Sequence, residues 1–333
     1  MNNKHTQQHQ TAMLKSQYPT PEFITFGETM ALMIPNQHKG LEFASSLQSS
    51  FGGAESNVAI GVARLGHSSG WFGRLGNDPL GRMILKKIRG EGVDVSRAQL
   101  TTDAPTGVMF REVFKNKTSV FYYRKYSAAS KMQSEHLDHT YIEQAKMIHL
   151  TGITPALSES CRQTLLDAIH IARQAGVKVS FDPNIRLKLW PLEEAREVLL
   201  SIAAQADYFL PGLDELKLLY QVDDWDEIVS RLRELSAISI VKGGDRATYV
   251  VTKDEIITVP YYPVEHIVDT VGAGDGFCAG FIVGLLKGYS YTEAVKIGNL
   301  IGSLVIQVEG DWEGIPTWEE VEAIMMDSKH IER

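Results

Sequence analysis

The chain has 333 residues, a formal charge of −8 and 44% hydrophobic residues. That length buries a real core in one large or two modest domains, and the acidic balance argues against nucleic acid as the main partner. Two distant cysteines, Cys161 and Cys278, rule out a disulfide framework and indicate a reducing compartment, read as the cytoplasm; no uninterrupted apolar run reaches the roughly 18–20 residues of a membrane span.

Residues 1–20 are polar, lack the apolar stretch of a signal peptide and read as a disordered tail. FITFG (23–27) reads as a buried strand, and residues 30–50 are strand-like with no helix. SNVAIGVARLG (56–66) has helical apolar spacing, with Gly66 as its stop. GWFGRLG (70–76) is a strand and turn, and PLGRMILKKIRGEGV, from Pro79, is a helix. Residues 107–126 read as a hairpin: GVMFREVF, a turn at Lys115-Asn116-Lys117-Thr118, then SVFYYRKY. His136 and His139 fall at i, i+3 without a third ligand, so they read as a solvated helix face rather than a metal site.

KMIHLTG (146–152), VKVSFDPN (177–184), YFLPG (208–212) and AISIVKGG (237–244) are strand ends, each beside an amphipathic stretch such as CRQTLLDAIHIARQAG. This alternation predicts an α/β fold whose parallel sheet is covered by helices on both faces. Ligands in such folds bind beyond the carboxyl ends of the strands. An antiparallel hairpin in this setting reads as a small lid beside the cleft, the alternative being a decorative surface hairpin.

DTVGAGDGFCAGFIVGLL (269–286) carries the chemistry. Gly272, Ala273 and Gly274 lead into a helix, where bare N–H groups and the helix dipole form an anion site. Asp275 would repel a phosphate but could accept the proton of a hydroxyl that attacks one. A helix start with no ligand is the other reading. A dinucleotide fingerprint fails because Phe277 stands at its third glycine, and the nearest P-loop approach, GVARLGHS (61–68), has His67 in place of lysine. Gly276, Gly280 and Gly284 recur every four residues, although glycine costs about 1 kcal/mol in a helix. Ala294, Gly298 and Gly302 repeat that spacing, which predicts two helices packed through their small faces.

DTVGAGD, together with FGGAESNVAIGVARLG (51–66), resembles the signatures of the ribokinase, or phosphofructokinase-B-type, family of carbohydrate kinases. FDPNIR (181–186), PGLDE (211–215), VKGGDRATYV (241–250) and GNLIGSLVIQVEGD (298–311) agree, so the resemblance runs from about residue 22 to 325. It implies a ribokinase-like three-layer α/β/α fold with a mostly parallel central sheet and a small β lid. One kinase domain over 21–330 is expected, with lid segments near 30–50 and 107–126. The resemblance implies ATP and Mg2+ as cofactors, Asp275 as catalytic base, and Gly272, Ala273 and Gly274 as the anion hole. Gly53 and Asn57 match substrate-contacting positions. Asn184, Lys242, Gly243 and Asn299 match the neighbourhood of the nucleotide. Glu215 matches the acidic member of a motif linked to magnesium, although Gly212 stands where asparagine usually opens it. Asp269 matches the start of a loop that holds a monovalent cation such as K+ in some members.

Within the family, FYYRKYSAAS (121–130), HLTGITPALS (149–158) and FDPNIRLKLWP (181–191) resemble kinases that phosphorylate 2-keto-3-deoxygluconate at its C6 hydroxyl. Strand alternation puts Tyr122 and Arg124 on one face and Tyr123 on the other. A guanidinium can pair with a carboxylate through two hydrogen bonds worth about 1.5–3 kcal/mol each, which favours an acidic sugar; the other reading of Arg124 is a surface strand arginine. Arg186 is a second candidate. Asp311 matches a position near the substrate, and Met109 stands where a substrate-facing tyrosine can occur. The rivals are a fructose, ribose or nucleoside kinase of the same fold, and a nucleotide-sensing protein without catalysis; the intact Asp275 argues against the sensor. Apolar residues on both hairpin faces (Val120 and Tyr122 against Phe121 and Tyr123) predict a homo-oligomer, a dimer through the β lid.

Overall fold

The computed structural model describes residues 20–36, 40–114, 117–243, 247–264 and 266–331. Apart from Thr20, the expected tail lies outside the described residues. In chain order the strands are β1 (Phe23–Phe26), β2 (Met30–Pro35), β3 (Leu47–Gly52), β4 (Ser69–Phe72), β5 (Arg74–Gly76), β6 (Gln99–Thr101) and β7 (Val108–Phe114). They continue with β8 (Lys117–Tyr123), β9 (Met147–Thr151), β10 (Lys178–Asp182), β11 (Tyr208–Phe209), β12 (Ile238–Val241), β13 (Ala247–Val251) and β14 (Ile256–Pro260). The main sheet has the order β14-β13-β12-β11-β10-β9-β1-β4. Its pairings are parallel from β4 to β12, and the last two are antiparallel. Phe23, Ile24 and Phe26 are wholly buried, the continuous apolar run of a strand covered on both faces.

The helices are α1 (Ala54–Arg64), α2 (Pro79–Gly90), α3 (His139–Glu143), α4 (Ile153–Leu157), α5 (Glu159–Gln174) and α6 (Leu192–Ala203). After them come α7 (Leu213–Tyr220), α8 (Trp225–Glu234), α9 (Ala273–Leu286), α10 (Tyr291–Val305) and α11 (Trp318–Ile331). One core joins sheet residues Ile148, Val179 and Phe181 to α5 to α8 through Leu165, Leu199, Leu216 and Ile228. The other joins Phe23, Trp71 and Ile240 to α1, α2, α9 and α10 through Val58, Ile84, Phe281 and Ile301. The two cores lie on opposite faces of the sheet, so the layers are α/β/α. Helix starts carry their expected caps. Asp78 accepts from the Gly81 amide ahead of Pro79, and Ser158 accepts from the Cys161 amide. No described helix is long and apolar enough to cross a membrane.

The small-faced helices pack as expected. A Cβ on Gly280 would lie 2.9 Å from the Gly298 Cα, and one on Gly284 would lie 2.6 Å from the Ala294 Cα. Gly276 instead faces Ile301 and Val305, so the close approach is concentrated in the middle and end of α9.

The second sheet, β3-β2-β7-β8, is the lid. Both expected lid segments join it, through antiparallel β2–β3 and β7–β8 pairs and a parallel β2–β7 pair. The expected turn needs correction: Lys117 and Thr118 belong to β8, pairing with Phe114 and Val113, while residues 115–116 lie outside the described residues. The stretch 30–50 also contains one 3-10 turn, Leu41–Phe43. His136 and His139 do not share a helix face: His136 ends a 3-10 turn and His139 opens α3.

Candidate active site

The carboxyl ends of β1, β10 and β12 deliver Glu28, Asp182 and Lys242 to one cleft of about 1750 Å³, and the starts of α1 and α9 point into it. This is where a parallel sheet exposes backbone that its helices leave uncovered. The lid forms the opposite wall with Met30, Met109, Arg111, Val120, Tyr122 and Arg124.

The α9 start depends on glycine. Gly272 has φ +77°, and any Cβ there would collide with the Asp311 carbonyl; glycine alone meets both demands. Gly274 and Asp275 line the cleft one turn later. The Asp275 carboxylate accepts a 2.7 Å hydrogen bond from Asn57 Nδ2. Asn57 is fixed by its own helix, where its amide donates to the Gly53 carbonyl at 2.9 Å. Gly53 is hemmed in by Glu28 and Thr29, so a side chain there would strike the Glu28 carbonyl. Beneath, buried Glu55 accepts from Thr151 and Thr154 at 2.6 and 2.9 Å and pins the start of α1 to β9.

Burial pushes the Asp275 carboxyl up to about 7, with Asp182 and Asp311 adding to the rise while Asn57 and Arg186 oppose it. A carboxyl near 7 is matched to proton acceptance at neutral pH. Lys242 donates to Asp182 at 2.5 Å. Burial alone would lower its ammonium, but Asp182, Cys278 and Glu215 hold it above its ordinary value, so it is a fixed positive charge. It lies beside Gly274, 3.9 Å from where a Cβ would be.

Glu215 accepts from the Ile185 amide at 2.8 Å and from the Gly212 amide at 2.7 Å. It therefore ties the loop after β10 to α7, with its carboxyl raised by burial and by Asp182. Asn184 lines the cleft at φ 36°. Mg2+ takes one or two carboxylates plus phosphates and water. Asp182 and Glu215 face the cleft, but Lys242 and the Asn184, Ile185 and Gly212 amides already engage their oxygens, so a magnesium ion would rely mainly on the nucleotide phosphates and water. Among the described residues no group of three or more His, Cys, Asp or Glu forms a metal cage. The loop-cation assignment of Asp269 fits poorly. Its Oδ1 accepts from the Val271 amide and its Oδ2 is 3.2 Å from Arg111.

On the lid, Arg124 and Tyr122 share the cleft-facing side as expected, with the guanidinium 5.7 Å from the ring. Arg124 is not a free cation, however. Its Nη2 and Nε bond Glu28 at 2.5 and 2.6 Å, and Glu28 is wholly buried. Arg186 is exposed at the cleft mouth, and Lys188 lies 5.6 Å from the Tyr122 ring. Asp311 lines the floor, bonded to Arg111 at 2.8 Å. Two nucleotide candidates stand apart. The Asn299 side chain is buried among β13 and β14, bonded to Thr248, Val259 and Pro260. Gly243, at φ 96°, donates its amide to the Tyr261 hydroxyl. Neither lines this cleft.

Sequence reasoning missed Glu28, Asp182, Arg111 and Lys188. Glu28 and Asp182 were findable by position, since Asp182 ends β10 and Glu28 lies just past the carboxyl end of β1. Arg111 follows Met109 on the same strand face. Lys188 has no such signal.

A buried carboxylate beside bare helix-start amides, a fixed lysine charge and a lid make a site suited to phosphoryl transfer to a small hydroxyl compound. The chain belongs to the pfkB family of carbohydrate kinases, whose family model matches residues 21–318. It is 39% identical over 313 residues to a 2-dehydro-3-deoxygluconokinase of Bacillus subtilis, covering 92% of this chain and 96% of that one. Its fold matches a PfkB protein from Polaromonas sp. JS666 with a TM-score of 0.84 at 36% identity, over 91% of this chain and 99% of that one. An Escherichia coli protein described as a ribokinase II, solved with ATP and Mg2+, matches with a TM-score of 0.83 at 25% identity, over 92% and 99%.

Proposed function

We propose that this carbohydrate kinase transfers the γ-phosphoryl group of ATP to the C6 hydroxyl of 2-keto-3-deoxygluconate (2-dehydro-3-deoxygluconate). The observation that carries this reading is the polarity of the cleft. Asp275 and the α9 amides line it together with a wall in which Arg186 and Lys188 are the exposed cations and Arg124, paired with Glu28, flanks Tyr122. A sugar acid has a hydroxyl for the base and a carboxylate for the cations. Because Glu28 engages Arg124, Arg186 and Lys188 supply the net positive charge, while Arg124 and Tyr122 shape the wall. The Bacillus relative supports the choice of sugar.

In this reading Asp275 receives the C6 proton while Asn57 holds its carboxylate in place. The backbone amides of Gly272 to Gly274 face the oxygens of the migrating phosphoryl group, and Lys242 offsets their charge. Magnesium carried by the nucleotide would supply positive charge to the phosphate oxygens, and Asp182 and Glu215 are the cleft carboxylates that could accept from its waters. The lid excludes water, the competing acceptor.

ADP release measured on 2-keto-3-deoxygluconate, fructose and ribose tests the assignment. The highest kcat/KM is expected on the sugar acid. Turnover confined to the neutral sugars would overturn it, and no turnover on any of the three would favour the sensor.

The exposed lid aromatics support a dimer: Phe121 and Tyr123, on the strand face opposite Tyr122, are 45% and 68% exposed, although both also rim the cleft, an apolar surface suited to a second copy. Sedimentation should give twice the chain mass, and a monomer would count against it. The two buried free thiols suit a reducing compartment such as the cytoplasm.

A further inference from the structure

Arg111 reaches from lid strand β7 into the floor of the cleft and is 4% exposed. Its Nη1 donates to Asp311 Oδ1 at 2.8 Å and lies 3.2 Å from Asp269 Oδ2. Asp269 opens the loop that ends in Gly272, and the Asp311 carbonyl packs directly against Gly272. One guanidinium therefore holds the two acidic segments between which the anion loop is clamped. Its Nη2 is buried and has no hydrogen-bond partner among the described residues.

Two carboxylates this close repel each other unless a cation lies between them. A loop cation would need Asp269, yet both of its side-chain oxygens are engaged, one by the Val271 amide and one by Arg111. Both carboxylates are reached by one guanidinium nitrogen, Nη1, which carries two hydrogens and so can serve two acceptors.

We propose that Arg111 is the positioning residue of the anion loop, its guanidinium supplying the positive charge between Asp269 and Asp311 so that the loop requires no monovalent cation. Since Arg111 belongs to the lid, the same contact ties the lid to the base of α9. The inference rests on the carbohydrate-kinase reading but not on the choice of sugar.

Kinase assays at constant ionic strength in potassium, sodium or choline chloride test it first. The wild-type kcat is expected to agree within about twofold among the salts, and a tenfold or larger potassium requirement would overturn the proposal. Arg111→Met is expected to lower kcat about 100-fold, the scale of a charged hydrogen bond, with the KM for ATP within about threefold. Guanidinium or potassium chloride should restore about tenfold or more of that loss, which a purely structural role would not allow. A near-normal kcat, or a loss that neither salt rescues, would overturn it.

Melting of the unliganded protein is the readout without turnover. Potassium should stabilise Arg111→Met relative to choline and leave the wild type unchanged; the reverse pattern refutes the proposal. Should Arg111→Met not fold, Arg111→Lys is the substitute. It keeps the charge and should work without potassium, and a potassium-dependent Arg111→Lys counts against the idea. If the wild type ignores the sugar acid, the sugar assignment alone fails, and the salt comparison proceeds on whichever sugar turns over, or on melting alone.

Discussion

Asn57 and Asp275 lie 218 positions apart and meet through a 2.7 Å hydrogen bond that joins the first turns of α1 and α9. Each helix carries one of the two long family signatures, so this bond is where the two signatures become one site. It also opposes burial, which drives the Asp275 carboxyl upward. The Asp275 carboxyl is thereby kept near neutrality, where it can both hold and release a proton.

Asp275→Asn keeps the shape and the Asn57 contact but cannot take a proton. It should lower kcat by about 10²–10⁴-fold, the ordinary range of a general base, while sugar binding stays within a few-fold. Steady-state kinetics with calorimetric titration of the sugar separates the two effects. A variant with near-normal kcat would remove Asp275 from the role of base.

The pH–rate profile should follow the same carboxyl. With Asp275 near 7, kcat/KM should fall about tenfold per unit below that point. Asn57→Ala deletes the hydrogen bond that favours the charged form, so the acidic limb should move to higher pH. An acidic limb that stays in place in Asn57→Ala would show that Asn57 does not tune the base.

Stability should depend on pH with a definite sign. The folded Asp275 value, about 7, lies above the unfolded one, near 3.9. The contribution of the protonated form is therefore complete below the unfolded value and is lost as pH rises through about 7. Asp275→Asn escapes that loss. Its melting temperature should exceed that of the wild type by more at pH 8 than at pH 5. Equal differences at both values would mean that the folded carboxyl is not raised.

The sheet and helices were legible because each buried strand is a short apolar run ending in glycine, proline or a charge, and each helix has a start or stop residue such as Ser158 or Gly66. The start of α9 was legible because glycine at 272, whose left-handed φ and close approach to Asp311 admit no side chain, marks where the helix begins. Arg124 was placed on the correct face, yet its ion pair with Glu28 joins residues 96 positions apart, which no local periodicity reveals. Arg111 was hidden for the same reason: its partners Asp269 and Asp311 arrive from the far end of the chain. Asn299 lies in a helix matched to the nucleotide neighbourhood, but its rotation about the axis turns the side chain inward to the β13 and β14 backbone.

The Glu28–Arg124 pair should behave as a unit. Arg124→Ala strands a buried carboxylate and should destabilise by about 3–5 kcal/mol, and it should also weaken sugar-acid turnover more than turnover of a neutral sugar. Adding Glu28→Gln removes the stranded charge, so the double variant should be more stable than Arg124→Ala alone. Denaturant titrations of the three proteins check this. A double variant less stable than Arg124→Ala would show that Glu28 contributes through Ser127, 2.5 Å from its other oxygen, more than through Arg124.

The contact of α9 with α10 gives a prediction independent of chemistry. Alanine is the better helix former by about 1 kcal/mol, so replacing a helical glycine stabilises wherever a methyl group fits. At Gly280 it does not fit: the new Cβ would be 2.7 Å from Ile301 Cδ1 and 2.9 Å from the Gly298 backbone. Ile301 can turn aside, but Gly298 Cα cannot move without shifting α10. Gly280→Ala should therefore destabilise by about 1–3 kcal/mol through overpacking. Its displaced helix start should also lower kcat, because Asp275 lies on the first turn of the same helix. At Gly302 the nearest atom, the Ala273 carbonyl, would be 3.3 Å from the new Cβ and the Phe277 Cβ 3.7 Å, so Gly302→Ala should be close to neutral. Parallel melting curves and kcat values for the two variants decide the matter, and equal losses at both positions would refute a close approach centred on Gly280.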